Sequence, residues 1–228
     1  MFVQFMLKNV LSFKEETVLD MTAINAYKEH QCNLIDYGTK EKYLRVAAIY
    51  GANASGKSNI YMAMTYFQRI IAESLNNVED GEATAIQTYY QPFSFDSEKE
   101  NSEFQIVQIL GNFEYKYGFE YNSNCIVTEW LYRKNLQTKR SSTVFERTTE
   151  KVEFGSCVRK ECEVYKEQIP VETLVLTFFN KLKLKSNIFK IVYSGVMDTL
   201  VVPTDFCEDT RLLEALLPRL IDEEKSAL

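Results

Sequence analysis

Gly51-Ala52-Asn53-Ala54-Ser55-Gly56-Lys57-Ser58 is the stretch whose reading decides the fold. It matches the pattern G-x-x-x-x-G-K-S in full. With glycine at about 7% of residues, such a match arises by chance in a chain of this size about 1% of the time. Context sharpens the odds. The nearly continuous apolar run Leu44-Arg45-Val46-Ala47-Ala48-Ile49-Tyr50 leads into the stretch, and Ile60, Met64, Phe67, Ile71 and Leu75 recur at helical spacing after it. A run without alternation predicts a strand buried on both faces. A strand, a glycine-bounded turn and a helix make a phosphate-binding loop. Gly51 and Gly56 allow backbone approach that a Cβ would block. The N–H groups of Asn53, Ala54, Ser55 and Gly56 then form an anion nest at the positive end of the helix. Lys57 is expected to reach the β- and γ-phosphates, Ser58 to place its hydroxyl on Mg²⁺, and Asn59 to extend the nucleotide contacts. A bare strand–turn–helix corner would explain the glycines but not the lysine and serine together.

Outward from the loop, Phe2–Leu7 and Thr17–Met21 read as strands, and Ser58–Leu75 as a helix ended by Asn76-Asn77 and Asp80-Gly81-Glu82. From residue 86 to 155 the hydrophobic period changes to two. Phe93–Phe95, Phe104–Ile109, Phe113–Phe119, Ile126–Tyr132, Thr143–Arg147 and Lys151–Phe154 are strand candidates separated by turn signals such as Gly111-Asn112. They predict an antiparallel meander with one solvated face. Val171–Lys183 and Asp209–Leu217 predict helices, with Pro170, Pro203 and Pro218 as breaks. The chain divides accordingly into a core carrying the loop over 1–85, an antiparallel β lobe over 86–155 and a mainly helical segment over 156–228.

Hydrophobic residues make up 46% of the chain and charged residues 25%, an ordinary globular balance. The net charge of −6 gives no surface-wide footprint for nucleic acid. The basic run Lys181–Lys185 reads as a solvated face. Five widely spaced cysteines and the single histidine, His30, form neither a zinc pattern nor a disulfide framework. The N-terminus lacks the features of a secretory signal, and no stretch has the length of a membrane span, so a soluble cytoplasmic protein without membrane contact is expected. The aromatic stripe Tyr115, Tyr117 and Phe119 invites comparison with a base-stacking surface, but core packing is the more frequent reason for such a stripe.

The loop variant Asn53, Ser55, Gly56-Lys57-Ser58-Asn59 resembles those of ABC-type ATPase heads of the chromosome-maintenance (SMC-like), DNA-repair and OLD-like groups. More narrowly, the chain is similar to bacterial AAA-family ATP-binding proteins of phage-defence and abortive-infection systems. The opening Phe5–Lys14 and the later segments Gln91-Pro92-Phe93, Tyr115–Glu120, Glu129–Tyr132 and Phe145-Glu146-Arg147 carry this likeness over residues 1–150. The resemblance implies an α/β P-loop NTPase fold, an ABC-type head with a mixed sheet, an antiparallel β lobe and a helical C-terminal part. It implies ATP and Mg²⁺ held between two protomers of a homo-dimer or higher oligomer. It also implies an effector protein, a nuclease or toxin, under nucleotide control. A glutamine at the start of the lobe commonly helps hold Mg²⁺ and the attacking water. Gln91 is the first candidate for that metal-binding and catalytic role and Gln87 the second.

The chain departs from that pattern in the parts that hydrolysis needs. His30 precedes the loop, so no downstream histidine can act as the switch. Leu220-Ile221-Asp222-Glu223 imitates a strand ending in Asp-Glu, but Pro218 precedes it, and proline cannot donate to a central ladder. Ser194-Gly195 imitates a signature segment, with a loop or helix end as the plainer account. The expectation is the N-terminal part of a longer ATPase, with Leu212–Leu217 continuing into further residues, that binds ATP without efficient turnover. No nuclease constellation is present, since Asp96, Glu98 and Glu100 lie in an expected loop. The alternatives are a complete small ATPase and a DNA-binding head of repair or chromosome organisation. The absence of an N/T-K-x-D segment favours ATP over GTP.

Overall fold

A computed structural model describes residues 1–24, 31–76, 83–95 and 100–199. Its centre is a seven-stranded antiparallel sheet with a long helix across one face. The first strand, β1 (Phe2–Lys8), pairs with β2 (Thr17–Asp20) on one side. On its other side lies β5 (Ser102–Leu110), with Phe5 opposite Ile106. From β5 the meander runs through β6 (Phe113–Tyr121), β7 (Ile126–Asn135), β8 (Ser141–Thr148) and β9 (Val152–Phe154), in spatial order β2-β1-β5-β6-β7-β8-β9. The expected meander is present, and the N-terminal hairpin extends its sheet. A separate hairpin joins β3 (Leu34–Asp36) to β4 (Lys42–Leu44).

Helix α1 (Lys57–Glu73) buries Ala63, Met64, Phe67, Ile70 and Ile71, spaced three or four residues apart, against the sheet. Phe67 is the centre of this contact. Its ring centroid lies 5.5 Å from that of Phe5 and 5.6 Å from those of Phe104 and Phe119. Tyr115, Tyr117 and Phe119 are buried on the same side, so the aromatic stripe is core and not a base-stacking surface. Gly118 shows how tightly neighbouring strands fit: a Cβ there would lie 2.5 Å from the ring of Trp130, its partner on β7.

Among the described residues, four shorter α-helices follow the loop helix. These are α2 (Ala85–Tyr89), α3 (Arg159–Cys162), α4 (Val175–Lys181) and α5 (Ile188–Met197). The helix expected over Val171–Lys183 is thus shorter, its first turn replaced by a loop. That loop and α4 hold the C-terminal end of α1. The Thr177 and Thr173 hydroxyls donate to the carbonyls of Ile71 and Ser74, which the helix leaves without intrahelical partners. The Gln68 amide on α1 donates to the Val196 and Thr199 carbonyls at the end of α5.

Two expectations are corrected, and a third reading is settled on its plainer side. Leu44–Tyr50 is not a buried central strand: β4 stops at Leu44, and residues 46–50 are exposed, with Val46 at 67% and Tyr50 at 89%. Beyond Leu44, which pairs with Leu34 of β3, the run joins no described strand, and every strand pairing among the described residues is antiparallel, so the expected mixed sheet is not seen there. Phe93–Phe95 forms no strand. The Asn9 side chain takes the Phe93 N–H that a ladder would need. Ser194-Gly195 lies inside α5, where the Gly195 carbonyl accepts from the Gln108 amide, so it is the helical account that applies. The described cysteines are free thiols. No described helix is long and apolar enough to cross a membrane. His30, Asn77, Asp80–Glu82, Asp96, Glu98, Asp209–Leu217 and Leu220–Glu223 lie outside the described residues.

Truncating the central ring tests this packing. Phe67→Ala is expected to cost about 3–5 kcal/mol, read from the urea midpoint at unchanged slope. A loss under about 1 kcal/mol would mean that α1 is not seated on the sheet as described.

Candidate functional site

The loop curls at the head of α1. Gly56 sits just before the helix with φ of 89°, and Ala54 also adopts the left-handed region with φ of 62°. Alternation of left- and right-handed residues turns successive N–H groups to one side, the geometry of an anion nest. The Ser55 N–H closes the turn on the Ala52 carbonyl at 3.2 Å. No side chain caps α1, whereas Thr84 and Gln87 give α2 a complete capping box. The same chain therefore caps one helix with its own side chains and leaves the first turn of the other open to an anion.

Gly56 is required by its φ, and side chains crowd the space where a Cβ would stand on either glycine. A Cβ on Gly51 would lie 2.6 Å from Ser55 Oγ, and one on Gly56 3.2 Å from Ser12 Oγ. The Lys57 ammonium donates to the carbonyls of Gly51 (2.8 Å) and Ala52 (2.6 Å), spanning the mouth of the loop. A phosphate entering the nest would replace these carbonyl contacts with charge-assisted ones. Asn53 and Ser58 are exposed at the rim. The Ser58 hydroxyl and a side-chain amide such as that of Gln91 are hard oxygen donors, suited to Mg²⁺ completed by phosphate oxygens and water. Among the described residues no group of three or more His, Cys, Asp and Glu is placed to hold a metal by itself.

The two candidate glutamines are separated by their surroundings. Gln87 is spent on the α2 cap, its Oε1 accepting the Thr84 N–H at 3.0 Å. Gln91 lines a cavity of about 260 Å³ together with Asn59 of α1 and Ser12 of the turn after β1. The Leu11 N–H donates to the Gln91 carbonyl at 2.7 Å, and the Asn59 amide to Ser12 Oγ at 2.8 Å. Gln91 is thereby held beside the head of α1.

What fixes that segment is Asn9, which the sequence reading did not single out. Asn9 and Leu11 both have positive φ, 51° and 54°, in the tight turn that ends β1. The buried Asn9 side chain accepts from the Phe93 N–H at 2.9 Å and donates to the Glu100 carbonyl at 2.7 Å. The Ser102 hydroxyl closes the network on the Asn9 carbonyl. One asparagine thus ties the phosphate-loop side of the turn to the residues on both sides of 96–99. An asparagine directly after a strand and before Val10-Leu11-Ser12 was the available signal, since asparagine tolerates the left-handed region.

A second polar cluster lies across the sheet. Glu129 of β7 is 1% exposed and accepts from Tyr117 Oη, Val175 N–H and Leu176 N–H. Arg147 of β8 stands 3.9 Å away and donates to the carbonyls of Pro170, Val171 and Thr173. Together they hold residues 170–176, the loop that carries the anchors for α1, on the sheet. Burial pushes the Glu129 carboxyl up to about 7, against the opposing pull of Arg147 and the backbone N–H groups.

A family model described as "AAA domain, putative AbiEii toxin, Type IV TA system" matches residues 46–160, from the approach to the loop through the meander. The chain belongs to this AAA-domain family. Its members' shared domain implies an ATPase-like nucleotide-binding function, which the open helix head and glycine-lined nest fit. A search of curated proteins finds no match.

Glu129 yields a pH prediction. A carboxyl with its folded pKa raised above the unfolded value binds more protons when folded, so the contribution of Glu129 to stability is fully present at low pH and is lost as pH rises toward about 7. Over pH 4.5–7 this single group accounts for a loss of about 3 kcal/mol. Thermal melts of Glu129→Gln are expected to lack that decline while the parent shows it. Equal slopes in the two proteins would place the titration elsewhere.

Proposed function

We propose that this chain is an ATP-binding module of an ABC-type ATPase, the nucleotide-sensing part of an anti-phage defence complex that controls an effector nuclease or toxin. The observation that carries the reading is the complete loop Gly51–Ser58 at the uncapped head of α1, with Lys57 already at its mouth. ATP's phosphates would lie in the nest, with Lys57 on the β- and γ-phosphates. Ser58 and Gln91 would hold Mg²⁺ between them and the phosphate oxygens.

The defence assignment rests on the family match and on the segment resemblance. Occupancy by Mg²⁺·ATP would act as a switch, with the γ-phosphate completing an interface between copies of the chain or with the effector. The exposed apolar run Val46–Tyr50 supports an assembly larger than one chain, because a segment of that composition is stable when further strands and helices cover it.

Calorimetric titration with Mg²⁺·ATP tests the reading. The parent is expected to bind, and Lys57→Ala to bind about ten- to a hundredfold more weakly, the effect of losing one charge-assisted hydrogen-bonding group. Parent and variant binding alike would remove Lys57 from the phosphates and the proposal with it.

A further inference from the structure

Between Glu172 and Asp198 the chain carries four lysines and no acidic residue, in a protein whose net charge is −6. Three of them fall where α4 gives way to the link with α5. The chain leaves α4 extended at Leu182, with φ of −84° and ψ of 152°. Burial then follows the period of an extended segment. Lys181, Lys183 and Lys185 are exposed, while Leu182 and Leu184 are half-buried and pack on the core. This solvated face is also held in place. The Glu161 carboxylate of α3 accepts the N–H groups of Lys185 and Ser186, and the Leu182 N–H donates to the Phe179 carbonyl. None of the three lysines enters an ion pair among the described residues. Lys160, next to Glu161 on α3, and Lys190 in the first turn of α5 are exposed and equally unpaired, and they flank the row.

We propose that this row of lysines binds the phosphate backbone of a single nucleic-acid strand, without regard to sequence. At about 3.3 Å per residue, alternate side chains recur about every 6.6 Å, so three ammonium groups follow a line about 13 Å long. A nucleic-acid strand is a polyanion with one charge at each regular step, and it matches such a line. Lysine meets phosphate as a point charge, so these contacts fix where the strand lies and do not read its bases. Leu182 and Leu184 are turned to the core, which leaves the row without the apolar face that a membrane surface takes up. The row is also separate from the nucleotide site. Thr177 of α4 bonds the tail of α1, whereas the phosphate loop lies at its head.

Fluorescence anisotropy of the full chain with a labelled single-stranded oligonucleotide of mixed sequence, in the absence of nucleotide, reads the contact. With the three lysines and one neighbour each on a phosphate, log K is expected to fall against log salt with a slope of about −3. Lys181→Gln/Lys183→Gln/Lys185→Gln is expected to bind about tenfold or more weakly at low salt, with about 2 removed from that slope. The three side chains stand in solvent, so its urea midpoint is expected to match the parent's. Lys40→Gln/Lys116→Gln/Arg140→Gln makes the same change of charge at exposed positions elsewhere and is expected to keep most of the binding. An equal loss in that variant would overturn the proposal, because net charge alone would then set the affinity. Lys57→Ala is expected to bind the oligonucleotide as the parent does; loss there would put the strand on the phosphate loop instead. A parent that binds no oligonucleotide at low salt, or binds only vesicles rich in anionic lipid, would also overturn it and leave the ATP reading standing.

Discussion

The contact between Phe67 and the rings of Phe5, Phe104 and Phe119 is the constraint from which the rest of the arrangement follows. It joins a helix, the first strand and the meander in one place, although these come from distant parts of the chain. Each ring removes apolar surface from water, worth about 1.5–3 kcal/mol apiece, and the edge and offset geometries add to that. Because α1 is a rigid rod, seating Phe67 fixes the helix head, roughly 15 Å away along the axis. The phosphate loop is therefore positioned by packing that contains no functional residue.

Two polar devices complete the placement. At the head of α1, Asn9 and the Leu11–Gln91 hydrogen bond bring the turn after β1 and the segment Gln91–Phe95 alongside the loop. At its tail, Glu129 and Arg147 hold the loop 170–176, whose Thr173, together with Thr177 of α4, satisfies the last carbonyls of α1. Charges at these buried positions are costly to desolvate, and burial accordingly raises the Glu129 carboxyl above the usual carboxylate range. What they supply is direction, since each bond accepts only one placement of the backbone it holds.

The parts of this account that were legible in the sequence are those written in local periodicity. The stripe from Ile60 to Ile71 announced α1, the glycines and lysine announced the loop, and alternation announced β5 to β9. The pairing of Phe5 with Ile106 left no local trace, because a register between strands so far apart is set by the shared core. Leu44–Tyr50 had the composition of a buried strand, but burial depends on neighbours that composition does not specify, and its side chains stand in solvent. The aromatic alternation Phe93-Ser94-Phe95 looked like a strand and is a pocket wall, because Asn9 takes its backbone donor. The sequence ranked Gln91 ahead of Gln87, and the α2 capping box, which claims Gln87, supplies the physical reason that the sequence lacked.

The central claim is that the backbone N–H groups of the loop hold the phosphates of a nucleotide. Amide hydrogen exchange with and without Mg²⁺·ATP reads those groups directly. The account predicts slowed exchange concentrated in Ala52–Asn59, with smaller effects at Leu11-Ser12 and Phe93–Phe95 and little change in the already protected strands β5 to β8. Exchange in Ala52–Asn59 that is the same with and without nucleotide, at concentrations that saturate any binding seen by calorimetry, would contradict it.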